Sequence, residues 1–135
     1  MISFRSEDMV SLWVYCQRHD EYDQPDPNVP SFDDLFKPGY VDDDCYEADG
    51  GEDWESIEIA ELIGRLSYSE SFLEAALEGA KELGVTEGRR IIALYDFAYI
   101  PEAVGVTLPE DPVFLGAFSY DDSIDEEIIN RYLSK

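Results

Sequence analysis

The apolar positions of the chain first cluster near the N-terminus, in a run too short for a typical buried helix. Residues Met9–Cys16 are mostly β-branched, aromatic or aliphatic, which predicts a central strand with both faces covered. Arg90–Tyr99 is the clearest further strand, and Asp96 within it is predicted to face solvent or a sheet edge. Val113–Tyr120 follows after a turn-rich connection and is predicted to pair with it in antiparallel fashion. A weaker strand is predicted over Tyr40–Ala48.

Helical spacing of apolar residues appears in the middle and at the end of the chain. Glu55–Leu66 repeats isoleucine and leucine every three or four positions. Ser71–Leu83 begins with Ser71 and Glu74 in capping-box spacing and is followed by glycine. Ser31–Phe36 predicts one helical turn, and Ser123–Leu133 predicts a final helix.

The order of these elements predicts the fold class. A strand, a loop over Gln17–Pro30, a possible strand, two helices, two strands and a helix follow one another. This order favours an α+β fold, in which an antiparallel sheet of about four strands has helices packed on one face. No internal repeat or long linker divides the chain, so residues 1–135 are predicted to form a single domain.

The composition is that of a folded domain, and its most unusual feature is the large negative net charge. Hydrophobic residues make up 44% and aromatic residues 13%, enough to fill one core. Asp and Glu total 32 against 9 Lys and Arg, giving a formal net charge of -23. A magnitude of about 2–8 keeps a small domain soluble. The excess of acidic residues has two explanations. It serves solubility or life in a high-salt cytoplasm, or it serves binding to a basic partner.

The sign of the charge excludes two classes of partner. Nucleic acids and anionic membrane surfaces both require basic patches, so neither is predicted to bind. The first ten residues carry Arg5, Glu7 and Asp8 where a signal peptide would be apolar, and no stretch reaches the roughly 20 apolar residues of a membrane span. Cys16 and Cys45 are too few for a disulfide framework. A cytoplasmic protein is expected.

No catalytic or metal-binding pattern is found, so the chain is predicted not to be an enzyme and to use no cofactor or metal. The sequence contains no nucleophile motif that the single histidine, His19, could activate as a general base. The acids that follow Asp42 do not match a calcium loop, because Tyr46 and Glu47 stand where an oxygen ligand and glycine are required. Gly50-Gly51 is flanked by acids that would repel phosphate. A catalytic pair of carboxylates that only folding brings together remains an alternative to the non-enzymatic interpretation.

The acidic residues are concentrated in one stretch, because no basic residue occurs between Lys37 and Arg65. Aromatic residues are interleaved there, and an aromatic anchor with an acidic rim suits recognition of a basic protein surface. The alternative is that the aromatic residues belong to the core and the acids form a solvated face. The predicted partner-binding residues are Asp42, Asp43, Asp44, Glu47, Asp49, Glu52, Asp53, Trp54 and Glu55.

Several separated segments, taken together, resemble a known family. In order they are Val10–Val14, the acidic Tyr40–Glu47, Ser67–Phe72, Leu94–Phe97 and Phe114–Gly116. Over roughly residues 9 to 120 the chain resembles the immunity protein 22 family of bacterial polymorphic toxin systems. One departure is Tyr15, where the family pattern has glycine after the Trp-Val step.

The resemblance implies a small cytoplasmic protein that binds and neutralises a cognate toxin, with no catalytic residues of its own. It also implies that Trp13 and Ser67–Phe72 determine the fold rather than contact the partner. Charge and resemblance together predict a basic toxin partner, and one candidate class is a nuclease whose basic active-site cleft is blocked. The alternatives are an acidic nucleic-acid mimic that inhibits a DNA-binding protein, and a small enzyme with a carboxylate site.

Overall fold

The computed structural model describes residues 4–17, 32–39, 41, 43–109 and 111–121, with the side chains of Asp33 and Asp43 excluded. The predicted proline-rich loop, apart from Gln17, the predicted cap at Ser31 and the predicted helix over Ser123–Leu133 lie outside these residues.

Four strands form the main sheet, and every neighbouring pair in it is antiparallel. It has the strand order β2-β5-β1-β6, and a second sheet pairs β3 with β4. The α+β class, the antiparallel sheet and the central position of the first strand are thereby confirmed. In chain order the strands are β1 Arg5–Tyr15, β2 Tyr46–Gly50, β3 Ile57–Glu58, β4 Glu87–Gly88, β5 Arg90–Phe97 and β6 Val113–Ser119.

Four α-helices and three 3-10 turns occur in the described residues. The helices are α1 Phe32–Phe36, α2 Ile59–Gly64, α3 Leu73–Glu82 and α4 Pro101–Val104. The 3-10 turns are Asp43–Cys45, Glu52–Trp54 and Ser69–Ser71.

Both middle helices are shorter than their sequence patterns predict. Ile57 and Glu58 pair with β4, so α2 begins only at Ile59. The predicted capping box at Ser71 is wrong, because its hydroxyl donates to the carbonyl of Tyr68 and α3 begins later with no side-chain cap. Local polar competition of this kind is common for serine near helix starts.

One face of the sheet packs against α2 and α3. Strand residues alternate between the two faces, and Val10, Leu12 and Val14 of β1 point to this one. Each fully buried aliphatic side chain contributes roughly 1.5–3 kcal/mol through removal of apolar surface from water. Their main helical neighbours are Leu62, Ile63, Phe72, Ala76 and Ala80, all at most 1% exposed.

The other face carries an aromatic cluster. Trp13 is fully buried, and its ring centroid lies 5.0 Å from that of Phe32, 5.7 Å from Phe36 and 5.1 Å from Phe114. Tyr99 also packs on it and donates its hydroxyl to the carbonyl of Phe36. The two longer helices therefore share one face, while the short α1 covers the opposite one.

The predicted pairing of the last two strands is wrong. β5 and β6 do not contact each other as a ladder, because β1 lies between them and pairs with both. The connection of 15 residues between Phe97 and Val113 is long enough to cross one strand, so chain order alone does not determine the partner.

The predicted strand over Tyr40–Ala48 begins later than expected. Asp43–Cys45 forms a 3-10 turn and β2 starts at Tyr46, whose ring is 44% exposed rather than packed. Consecutive aspartates are unfavourable in strands and favourable in turns. β2 also extends to Gly50, two residues beyond the predicted end at Ala48.

Asp96 is half-buried instead of facing solvent. It has a φ of 54° and lies opposite a shift in register of β1. Its Oδ1 accepts hydrogen bonds from the N–H of Asp8 at 3.1 Å and the hydroxyl of Tyr120 at 2.7 Å. The carboxylate thus satisfies groups that the irregularity leaves without ladder partners.

Gly88 is needed for the two sheets to approach, and its replacement gives a testable prediction. A Cβ there would lie 2.4 Å from Val14 Cγ1, whereas at Gly64 nothing lies within 4 Å. We expect Gly88→Ala to lower the free energy of unfolding by about 1–3 kcal/mol through overpacking. Gly64→Ala should be neutral or stabilising by up to about 1 kcal/mol. Urea denaturation measures both, and equal stabilities of the two variants would contradict this packing.

Candidate partner-binding surface

The acidic stretch folds into the edge strand β2 and the turns on either side of it. Of its predicted contact residues, Asp42 and the side chain of Asp43 lie outside the described part. The remaining seven do not form one continuous surface. They divide into exposed acids, acids bonded within the fold, and a buried indole.

Four of the predicted acids are solvent-exposed: Asp44, Glu52, Asp53 and Glu55. Asp44 belongs to the turn before β2, and the other three lie in or directly after the turn that follows it. Asp53 has a φ of 51°, a conformation that aspartate and asparagine tolerate better than most residues. Among the described residues of the predicted site, these four are the most accessible to a partner.

Glu47 is not a surface rim residue, because its carboxylate ties β2 to the turn before α3. Oε1 accepts from the N–H of Ser67 at 2.8 Å, and Oε2 accepts from the Ser67 hydroxyl at 2.8 Å. The Tyr95 hydroxyl lies 2.7 Å from Oε1 and 2.7 Å from the Ser67 carbonyl, and its single hydrogen is shared between these acceptors. Glu47 therefore positions the turn that carries Ser67–Phe72.

Asp49 closes the end of β2. Its Oδ1 accepts from the N–H of Gly50 at 2.7 Å and lies 3.6 Å from Arg65 NH1. The same guanidinium is 3.6 Å from Glu61 one turn away on α2. Both partners of each pair are more than one-third exposed, so these contacts contribute little stability. They do neutralise part of the acidic stretch.

Trp54 belongs to the core and is only 3% exposed. Arg90 lies 4.5 Å above its ring centroid, and Arg89 donates to its carbonyl at 2.6 Å. Tyr15 packs edge-on against it, with centroids 6.1 Å apart. Of the two interpretations of this aromatic residue, the structure favours the core. Among the described residues of this region, Tyr46, at 44% exposure, is the aromatic residue most open to solvent.

A second acidic surface, along α3, was missed in the sequence. Glu74, Glu78 and Glu82 recur every four residues on α3 and are all exposed, and the exposed Glu70 precedes the helix in the 3-10 turn Ser69–Ser71. Side chains four apart on a helix lie on one stripe. The four-residue spacing of these glutamates is the sequence signal that indicates this surface. Lys81 is the cation that α3 itself places beside this stripe.

A tyrosine cluster links this region to the end of the sheet and had no signal in the sequence. The ring of Tyr68 stacks on that of Tyr120 at 5.8 Å, and Tyr95 packs edge-on against both, at 6.0 Å and 5.2 Å. The three residues come from distant parts of the chain. Together with Glu47 and Asp96 they form a bonded cluster rather than an open site.

The pocket that the described residues form beside β5 does not bring two carboxylates together, as the alternative carboxylate site would require. It lies between β5 and the segment before β2, and Asp96 is the one carboxylate among its lining residues. Burial raises the pKa of the Cys16 thiol, and Asp111 and Glu87 raise it further, so the thiol stays protonated. Within the described ranges, no three His, Cys, Asp or Glu side chains group to hold a metal ion.

Comparison with known proteins decides the family. The family model described as immunity protein 22 matches residues 2–121. The chain belongs to the immunity protein 22 family. The match covers the whole described sheet, from β1 to the end of β6, and extends slightly beyond the resemblance found in the sequence. No curated protein and no solved structure gives a significant match.

Membership of the immunity protein 22 family suggests a toxin-neutralising role, and with it a toxin partner and a non-enzymatic mode of action. Among the described residues, no helix has the length and apolar character needed to cross a membrane.

The Tyr95 hydroxyl gives a prediction on the pH dependence of stability. Burial raises its pKa above the roughly 10 of a free tyrosine, and the bond to Glu47 raises it further. The folded state therefore holds this proton more tightly than the unfolded state. Its stabilising contribution is complete below about pH 10 and is lost as the pH rises beyond that value. We expect the free energy of unfolding to fall more steeply above pH 10 in the wild type than in Tyr95→Phe.

Urea denaturation at pH 7, 9 and 10.5 compares the two proteins. At pH 7 the variant should be less stable by about 1–2 kcal/mol, because Glu47 loses a donor. Parallel stability curves from pH 9 to 10.5 would show that Tyr95 is not held protonated by the fold.

Proposed function

We propose that this protein neutralises a cognate toxin in the cytoplasm by binding it, with its acidic surface placed against a basic active-site cleft. The observation that carries the proposal is the family match over residues 2–121, combined with a formal net charge of -23. A nuclease is the toxin class that fits best, because its cleft must attract phosphates and an acidic protein competes for the same positive field.

The exposed acids on both sides of β2 support this mechanism. The side chains of Asp44, Glu52, Asp53 and Glu55 are all solvent-exposed, whereas that of Glu47 is partly buried. Exposed charges of one sign raise the rate of encounter with an oppositely charged partner more than they raise final affinity. The mode of action proposed here is occupation of the cleft, with no chemical step.

The proposal is tested by co-expressing this protein with the product of the gene immediately upstream. A tag on one chain should retain the other through purification. The association rate should fall steeply between about 50 and 200 mM salt, because screening shortens the reach of the acidic surface to about 8–10 Å.

An unrelated basic DNA-binding protein serves as the control in the same assay. Binding to the upstream product alone supports a cognate toxin. Comparable binding to both would instead support a general nucleic-acid mimic. A rate that does not change with salt would contradict the electrostatic mechanism.

A further inference from the structure

The two edges of the main sheet differ in how they are protected. At β2 the edge is short and carries Glu47 and Asp49. The N–H of Gly50 is taken by the Asp49 carboxylate and its carbonyl by Arg65. Short, charged edges of this kind discourage pairing with another chain. β6, the opposite edge, has none of these features.

The backbone of β6 leaves hydrogen-bonding groups on its outer side. The N–H of Tyr120 donates to a β1 carbonyl at 2.9 Å. Because successive residues of a strand direct their N–H and C=O groups to opposite sides, Phe118 and Gly116 also bond to β1, in agreement with their register. Ala117 and Ser119 then direct theirs away from the sheet. Within the described part of the chain, no hydrogen bond reaches that outer edge.

The side chains of β6 are equally unprotected against pairing. All seven residues of Val113–Ser119 are uncharged, and none is proline. Leu115 has no partner in the register and forms a bulge, next to Gly116 with a φ of 135°. Bulges at sheet edges often direct a binding surface. Beyond the bulge, the uncharged edge of β6 can accept a further strand through its backbone groups.

Acidic residues of α3 lie beside this edge. Gly79 packs directly on β6, since a Cβ there would lie 3.1 Å from the Leu115 carbonyl and 3.2 Å from the Phe118 ring. Glu78 precedes it, and Glu82 is its neighbour one turn on; both are exposed. A strand added to β6 would therefore run past carboxylates.

We propose that the outer edge of β6 binds an extended, basic segment of the toxin as a fifth strand. The inference rests on the proposed function. Backbone hydrogen bonds would come from Ala117 and Ser119, and lysine or arginine side chains of the added strand would reach Glu78 and Glu82. A second copy of this chain is the poorer occupant, because two molecules with a formal charge of -23 repel each other.

Amide hydrogen exchange with single-residue resolution tests the inference, with the upstream gene product as the probe. In the free protein, the amides of Ala117 and Ser119 should exchange quickly, while those of Gly116 and Phe118 on the same strand exchange slowly. In the complex, all four should be slow. Protection of the Ala117 and Ser119 amides in the free monomer would mean that the chain's own residues 122–135 bind to this edge. Protection that grows with protein concentration would assign it to a second copy. Either result overturns the proposal.

A proline substitution at the end of the strand provides the matching binding test. Ser119→Pro removes an outward N–H and leaves the bonds to β1 in place, as proline allows on an edge strand. We expect it to weaken binding of the upstream product about tenfold, while Ser119→Ala, which keeps the N–H, binds as the wild type does. Suppose the complex forms, both variants bind as tightly as the wild type, and the exchange rates of Ala117 and Ser119 are the same in the free protein and in the complex. The β6 interface is then wrong, and the toxin-binding function stands. If no complex forms, the function itself fails.

Discussion

Replacing Trp13 with alanine should lower the free energy of unfolding by about 3–5 kcal/mol, the range typical of large aromatic residues removed from a core. The indole is 0% exposed and contacts four aromatic rings on one face of the sheet. Because it lies on the central strand, the cavity would border α1 and β6 as well. Natural domains are stable by only about 5–15 kcal/mol, so the variant should be close to unfolding.

Trp13→Phe is the matched control. It retains most of the apolar contact and removes a buried Nε1 that has no hydrogen-bond partner within the described residues. We expect a loss of less than half that of the alanine variant, measured by denaturant unfolding followed by far-UV circular dichroism. A small effect of both substitutions would mean that the aromatic cluster does not hold α1 to the sheet.

Removing the charge of the four exposed acids around β2 should slow toxin association by about 10- to 100-fold at low salt, with a smaller change in dissociation. The variant is Asp44→Asn, Glu52→Gln, Asp53→Asn and Glu55→Gln. Each replacement keeps the size of the side chain, and asparagine retains the tolerance for the positive φ of Asp53. Stopped-flow or surface binding against the upstream gene product measures the rates.

Four exposed glutamates elsewhere give a control with the same change in net charge. Glu7→Gln, Glu70→Gln, Glu74→Gln and Glu102→Gln together should slow association less than the β2 variant does. Equal slowing by both sets would show that total charge, rather than this surface, attracts the toxin. If neither set of substitutions slows association, the electrostatic mechanism is wrong.

The parts of the fold that the sequence predicts are those with a strong local pattern. The continuous apolar run around Trp13 identifies the central strand, and the spacing of apolar residues identifies α3. The sequence fails where a partner distant in the chain decides the outcome. Asp96 looks like an exposed break in a strand, but the hydroxyl that it binds belongs to Tyr120, 24 residues away. The same holds for β3, which exists only because β4 pairs with it.

The candidate site shows the same limit. A count of acids along the chain correctly marks a region rich in exposed carboxylates, but it does not distinguish Glu55, which is exposed, from Glu47, which binds Ser67 and Tyr95. Nor does it show that Trp54 is covered by Arg90. The sequence does not show that β6 is an edge strand, because this depends on the strand order. The predicted pairing of the last two strands gave that order incorrectly.

The most direct test of toxin neutralisation is cell survival on expression of the upstream gene product, with and without this protein. We predict that the upstream product kills the cells or arrests their growth when expressed alone, and that co-expression of this protein restores growth. The Trp13→Ala variant should restore it less well because less folded protein is available. An upstream product that is harmless alone, or equally toxic in both cases, would contradict the account.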